Sequence, residues 1–138
     1  MDYKLELVLI PVTDIDRAKA FYSEKLGFNI DLDVENGDDF RIVQFTPPGS
    51  SCSISIGKGV TQAVPGSVSG LHLVVDDIEA AHTDLTSRDA PISEIFHFEN
   101  GERTPGPAPD RADYNSFISV EDPDGNGFLI QEFGHKRQ

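Results

Sequence analysis

The sequence predicts an α+β domain of two tandem βαβββ modules, forming a curled, mainly antiparallel sheet around a concave cleft. Three observations predict it. A strand-like alternation followed by a helical stripe occurs twice, 63 residues apart. An Asn-Gly pair recurs in the β-rich stretch after each helix, and each half closes with a Pro- and Gly-containing turn that leads into a short apolar strand. A length of 138 residues suits one domain, 1–138, with module one at about 1–63 and module two at about 64–138.

Val8, Ile10 and Val12 alternate as a strand with one buried face does. Thr13 with Asp16 resembles a capping box, after which Ile15, Ala18 and Tyr22 fall on one helical stripe. Gly27 is placed to end that helix with a positive φ. In the second half Leu71, Leu73 and Val75 alternate, Asp76 is placed to cap, and Ile78, Ala81 and Leu85 repeat the stripe. Glu35-Asn36-Gly37 and Glu99-Asn100-Gly101 predict hairpin turns. Pro47-Pro48-Gly49 leads into a strand at 52–56, and Asp122-Pro123-Asp124-Gly125 into one at 128–133. Residues 102–114 read as an irregular insertion, long enough to form a lid or a binding wall. Each helix is expected to cover one face of its strands, leaving the opposite faces to line the cleft.

Composition narrows the function. The formal charge is −13, from 24 acidic and 11 basic residues. A nucleic-acid or anionic-membrane partner needs a basic footprint, so neither is expected. An acidic cleft would draw a cationic ligand; charge scattered over the surface for solubility is the plainer reading. No apolar run reaches the ~20 residues of a membrane span, and the N-terminal stretch reads as a strand rather than a signal peptide, so a cytoplasmic protein is expected. Cys52, the single cysteine, excludes an internal disulfide and a cysteine-based zinc site. With no recognisable base beside it, it reads as an inert thiol.

The stretches PVTDIDRAKAFYSEKLGF, TPPGSSCSISIG and EDPDGNGFLIQEF resemble the vicinal oxygen chelate superfamily, which includes glyoxalase I, extradiol dioxygenases and bleomycin-resistance proteins. The tail, from PGPAPDRADYNSF to DPDGNGFLIQEF, is similar to an uncharacterised bacterial branch of glyoxalase/bleomycin-resistance-like proteins. The resemblance covers nearly the whole chain and implies the paired βαβββ fold, a dimer and a ligand in the cleft. It also implies where a metal would be held: seven residues before the Asp opening each helix, and four after the turn glycine of each closing strand. Here those positions are Leu7, Gly70, Ser53 and Leu129. Hydrocarbon and hydrogen offer no lone pair, and a neutral hydroxyl is a poor ligand alone. No metal cofactor is therefore expected at the usual place. A relocated divalent site using His72 with Glu6 or Glu132 stays open.

Alternation makes Leu9, Ser55, His72 and Gln131 the next positions on the cleft face. His72 is the candidate catalytic residue, an imidazole flanked by apolar residues; the plainer reading is a hydrogen bond to a ligand or serine. Gln131 suits orientation of a polar ligand. Arg111 and Tyr114, at the end of the insertion, are candidates to reach an anionic or aromatic ligand, with a salt bridge at a subunit interface for Arg111 and a strand start for Tyr114 as equal alternatives. The ligand-binding set is thus Leu7, Leu9, Ser53, Ser55, His72, Arg111, Tyr114, Leu129 and Gln131. Phe96 and Phe98 share a strand face, as an aromatic platform or, more ordinarily, as core or dimer-interface packing, while His82 and His135 read as solvated. The DPDG run reads as turn chemistry.

Three functions follow. The first is a metal-free small-molecule binding protein of bleomycin-resistance type, a homodimer that sequesters a drug or metabolite and so confers antibiotic resistance. The second is an enzyme: a glyoxalase- or dioxygenase-like lyase with a relocated metal, or a metal-independent isomerase or cyclase using His72. The third is a structural role with no ligand.

Overall fold

The computed structural model describes residues 1–136. They divide into two compact units, Met1–Val68 with Asp122–Asn126, and Ser69–Glu121 with the residues from Gly127 onward. The boundary falls close to the module boundary expected from the repeat, apart from the turn at 122–126. No helix among the described residues is long and apolar enough to cross a membrane.

In the first unit, β1 (Leu7–Leu9) leads to α1 (Ile15–Ala20), which continues as a π-helical turn (Phe21–Lys25). β2 (Asn29–Asn36), β3 (Phe40–Thr46) and β4 (Ser53–Lys58) follow. The sheet order is β1-β4-β3-β2, with β1 parallel to β4 and the other pairs antiparallel. The cap of α1 corrects the expected capping box: Asp14, not Thr13, accepts the Arg17 N–H at 3.0 Å. Thr13 donates instead to Asp124, from its N–H at 3.1 Å and its hydroxyl at 2.7 Å. Gly27 closes the helical segment at φ 71°, as expected. Lys19 of α1 pairs with Asp33, whose register partner is Val43. That fixes the helix-covered face as the one carrying Val43, Phe45, Ile54 and Ile56, all buried. Burial of such side chains contributes roughly 1.5–3 kcal/mol each.

Tyr22, fully buried against Phe45 and Phe28, donates its hydroxyl to Asp122 at 2.8 Å. The other Asp122 oxygen accepts the N–H groups of Asp124 and Asn126, while the Asn126 amide donates to the carbonyl of Pro11. The DPDGN run is thus a turn, as its residues predict, and also a buried polar lock within the first unit.

In the second unit, β5 (Leu71–Val75) and α2 (Ile78–Ser87) precede β6 (Phe96–Glu99), β7 (Glu102–Pro105), β8 (Phe117–Glu121) and β9 (Gly127–Glu132). The order is β5-β9-β8-β6-β7, with β5 parallel to β9. Asp77, not Asp76, caps α2, accepting the N–H groups of Glu79 and Ala80. The Asn100-Gly101 turn forms with φ of 53° and 79°, but it joins β6 to an additional edge strand, β7. Residues 102–105, expected to be irregular, are paired in that strand. The strand equivalent to β3 is β8, so this half has one strand more than its partner.

Candidate functional site

The faces of the second sheet follow from one contact. Ile78, at the start of α2, donates its N–H to Glu132 Oε2 at 2.7 Å, so Glu132 points towards the helix. Alternation and register then place Phe128, Ile130, Ile118 and Val120 on the helix-covered face, all buried. The helix-free face carries Leu129 and Gln131 on β9, His72 and Val74 on β5, and Phe117 and Ser119 on β8.

His72 and Gln131, which alternation puts on one face, meet there: the His72 Nδ1 to Gln131 Oε1 distance is 3.1 Å. An amide oxygen only accepts, so Nδ1–H is the donor in this bond. His72 pairs directly across from Leu129. Next to this pair lies an aromatic cluster. Phe117 is the register partner of both Gln131 and Phe96. Phe96 stacks on Phe117 with centroids 5.5 Å apart, and Phe98 meets both rings edge-on at 6.0 and 5.8 Å. The Arg103 guanidinium sits 3.7 Å over the Phe96 ring. The sequence reads Phe96 and Phe98 as a platform or, more ordinarily, as packing; Phe96 is buried and Phe98 half-exposed. Phe117 and Arg103 were not singled out; the alternation of Phe117 and Ser119 with the apolar Ile118 and Val120 was the available signal for the first.

On the helix-free face of the first sheet, Leu7 lies opposite Ser53 and Leu9 opposite Ser55, the four residues expected there. Asp31 accepts the Thr46 hydroxyl, so Thr46 in turn accepts the Ser53 hydroxyl at 2.7 Å. The Ser55 hydroxyl is buried with no partner among the described residues. A buried hydroxyl left unsatisfied costs about 1–3 kcal/mol, which marks it as a place where a water or a ligand atom is favoured.

The residues at the family's metal positions do not fit a metal. Leu7 and Leu129 present hydrocarbon, Gly70 lies ahead of β5, and the Ser53 hydroxyl is engaged by Thr46. The relocated site pairing His72 with Glu132 is not assembled either, because the two lie on opposite faces. Among the described residues, the His/Cys/Asp/Glu group close enough to share a cation is Asp77, Glu132 and His135. A guanidinium already occupies it.

That guanidinium is Arg111. It donates to Glu132 through Nε at 2.9 Å and a terminal nitrogen at 2.5 Å, to Glu79 at 2.6 Å, and lies 3.5 Å from Asp77. Glu132 is fully buried. Burial alone would raise its carboxyl, but Arg111 and the Ile78 N–H outweigh this and hold it below the usual carboxylate range. Arg111 forms its salt bridges within one chain, on the helix-covered side, whereas the alternative read from the sequence placed one at a subunit interface. Tyr114 is half-exposed, stacks on Phe133 at 5.0 Å and donates its N–H to the Glu132 carbonyl. Among the described residues, neither is hydrogen-bonded to the His72–Gln131 pair. His97, on the opposite side of β6 from Phe96 and Phe98, is buried between the Glu99 carboxylate at 2.9 Å and the Gly106 carbonyl at 2.6 Å. His135 is mostly buried, 3.7 Å from Glu132, rather than solvated.

The sequence profile of the Glyoxalase/Bleomycin resistance protein/Dioxygenase superfamily matches residues 4–130. The crystal structure of TnmS3, an antibiotic binding protein from Streptomyces sp. CB03234, is similar with a TM-score of 0.72 and 27% identity, over 95% of this chain and 96% of that one. A glyoxalase/bleomycin resistance protein from the same source is similar with a TM-score of 0.70 and 28% identity, over 94% and 100% of the two chains. The uncharacterized protein YetH of Bacillus subtilis (strain 168) is 25% identical, over 91% of this chain and 94% of its own.

Proposed function

Since the chain belongs to the glyoxalase/bleomycin resistance protein/dioxygenase superfamily, we propose that it binds a small molecule without a metal and sequesters it, breaking no bond. One observation carries the proposal: the family's metal positions are filled by Leu7, Ser53, Gly70 and Leu129, while the helix-free face of the second sheet carries the hydrogen-bonded His72–Gln131 pair and an aromatic cluster whose Phe98 ring is half-exposed. Such a face buries a planar apolar ligand and orients it without supplying an electrophile. Likeness to an antibiotic binding protein supports the small-molecule reading and suggests a drug or drug-like metabolite as the ligand. We further propose that the protein is a cytoplasmic homodimer.

The second reading, a metal-independent isomerase or cyclase, rests on His72, whose Nδ1–H bond to Gln131 leaves Nε2 free to take a proton. Equilibrium dialysis against a panel of aromatic antibiotics, with mass analysis of the recovered compound, separates the two. Stoichiometric binding with unchanged recovery supports sequestration. A converted product whose formation is lost in His72→Gln establishes the enzyme.

A further inference from the structure

The arginines among the described residues share a habit that one of them breaks. Arg17, Arg41, Arg88 and Arg111 each lie within ion-pair distance of at least one carboxylate. Arg103 has no carboxylate and no hydrogen-bond acceptor among the described residues; its contact is the Phe96 ring, 3.7 Å below the guanidinium. Arg103 is exposed, and its guanidinium is held over an aromatic ring instead of by a carboxylate, which leaves its N–H groups open to solvent or a ligand. It lines a cavity of about 280 Å³ whose other walls are Glu94, Ile95, Phe96 and Pro105. The cavity is near the lower end of the range for small-molecule sites, roughly 300 Å³ upward. Its one acidic wall residue, Glu94, turns a carboxylate oxygen to within 3.7 Å of His82 Nε2, and does not reach Arg103. The remaining walls are apolar.

Register adds the rest. Arg103 is the cross-strand partner of Phe98, whose ring is half-exposed, so cation and ring lie on the same face. A guanidinium fixed over one ring keeps its N–H edges for a planar acceptor, which a carboxylate matches with two parallel bonds. We propose that Arg103 is the anion-recognition residue of a subsite for planar aromatic carboxylates, with the ligand ring against the half-exposed Phe98, which the buried Phe96 and Phe117 support from beneath, and its carboxylate on the guanidinium fork. The inference rests on the small-molecule-binding reading and narrows it to a chemical class, against the cationic ligand that the overall charge alone would favour.

Three probes of one shape test it: 2-naphthoate, 2-naphthamide and 2-naphthylmethylammonium, titrated calorimetrically into wild type, Arg103→Gln and Arg103→Lys. The expected order in wild type is naphthoate tightest. Arg103→Gln weakens naphthoate about tenfold and leaves naphthamide within twofold, while Arg103→Lys, keeping the charge and losing the fork, falls between. A circular-dichroism melt confirms that the variants fold. If Arg103→Gln weakens naphthoate and naphthamide equally, Arg103 only supports the Phe96 ring and the anion subsite is overturned. Tighter binding of the ammonium probe by wild type overturns it too, with the small-molecule reading intact. If none of the three probes binds, the aromatic-carboxylate subsite is overturned, while the small-molecule reading stands or falls on the antibiotic dialysis.

Discussion

Replacing Arg111 with methionine strips two of three strong donors from a carboxylate that has no access to water. In the wild type Glu132 accepts Arg111 Nε at 2.9 Å, an Arg111 terminal nitrogen at 2.5 Å and the Ile78 N–H at 2.7 Å. Methionine keeps the volume of the stem and leaves only the Ile78 bond. Breaking a buried pair by removing one partner costs about 3–5 kcal/mol, a large fraction of the roughly 5–15 kcal/mol that holds such a domain together. With a urea m-value of roughly 2 kcal/mol/M, the unfolding midpoint should fall by about 2 M. Adding Glu132→Gln to Arg111→Met removes the stranded charge and should restore much of the loss. The pH dependence reverses as well. The wild-type carboxyl is held low, so its contribution is present above the unfolded value near 4.3 and is lost as pH falls through the lower folded value. Without Arg111, burial raises the carboxyl, and the variant should gain stability as pH drops from 7 towards 5. A loss under 1 kcal/mol with an unchanged pH profile would refute this reasoning.

Tyr22→Phe removes a buried hydrogen bond to the Asp122 carboxylate and should cost about 1.5–3 kcal/mol by chemical unfolding. Burial, reinforced by Asp122 and Asp124, pushes the Tyr22 phenol far up. Tyr22→Phe and wild type should therefore show the same phenolate absorbance about one unit above the ordinary phenol value near 10, as long as both stay folded. His97 is raised chiefly by its bond to Glu99, then by the Gly106 carbonyl, so its contribution is full below about 6.5 and is lost as pH rises through the raised folded value. His97→Gln should lower the melting temperature more at pH 5.5 than at pH 9; an equal drop at both would show that the imidazole contributes by packing alone. Phe98→Ala should weaken binding of a flat aromatic ligand by about 1–3 kcal/mol with little change in stability, because its ring is half-exposed.

The repeat was legible because each module states its own period: the alternation at Val8–Val12 and Leu71–Val75 and the stripes from Ile15 and Ile78 needed no tertiary information. Alternation also sufficed to bring His72, Leu129 and Gln131 to one face and to send Glu132 to the other. Caps were misassigned by one residue in both helices. Thr13, Asp14, Asp76 and Asp77 are all competent caps, and in the first helix Thr13 is taken by Asp124, 111 residues away. β7 was hidden because Glu102–Pro105 ends in proline and lacks alternation; it is an edge strand completed by the Asn100-Gly101 turn. Arg111 looked like a ligand contact because its partner, Glu132, is distant in sequence and on a strand read for its cleft face. The functional weight of Arg103 depends on what it does not touch, which a sequence does not state.

Elemental analysis of the protein purified without chelator, followed by thermal shift with an aromatic ligand before and after EDTA, tests the central claim most directly. Metal should lie far below one per chain, and the ligand-induced shift should be unchanged by EDTA. Close to one divalent ion per chain, lost together with the ligand shift in His72→Ala, would contradict it.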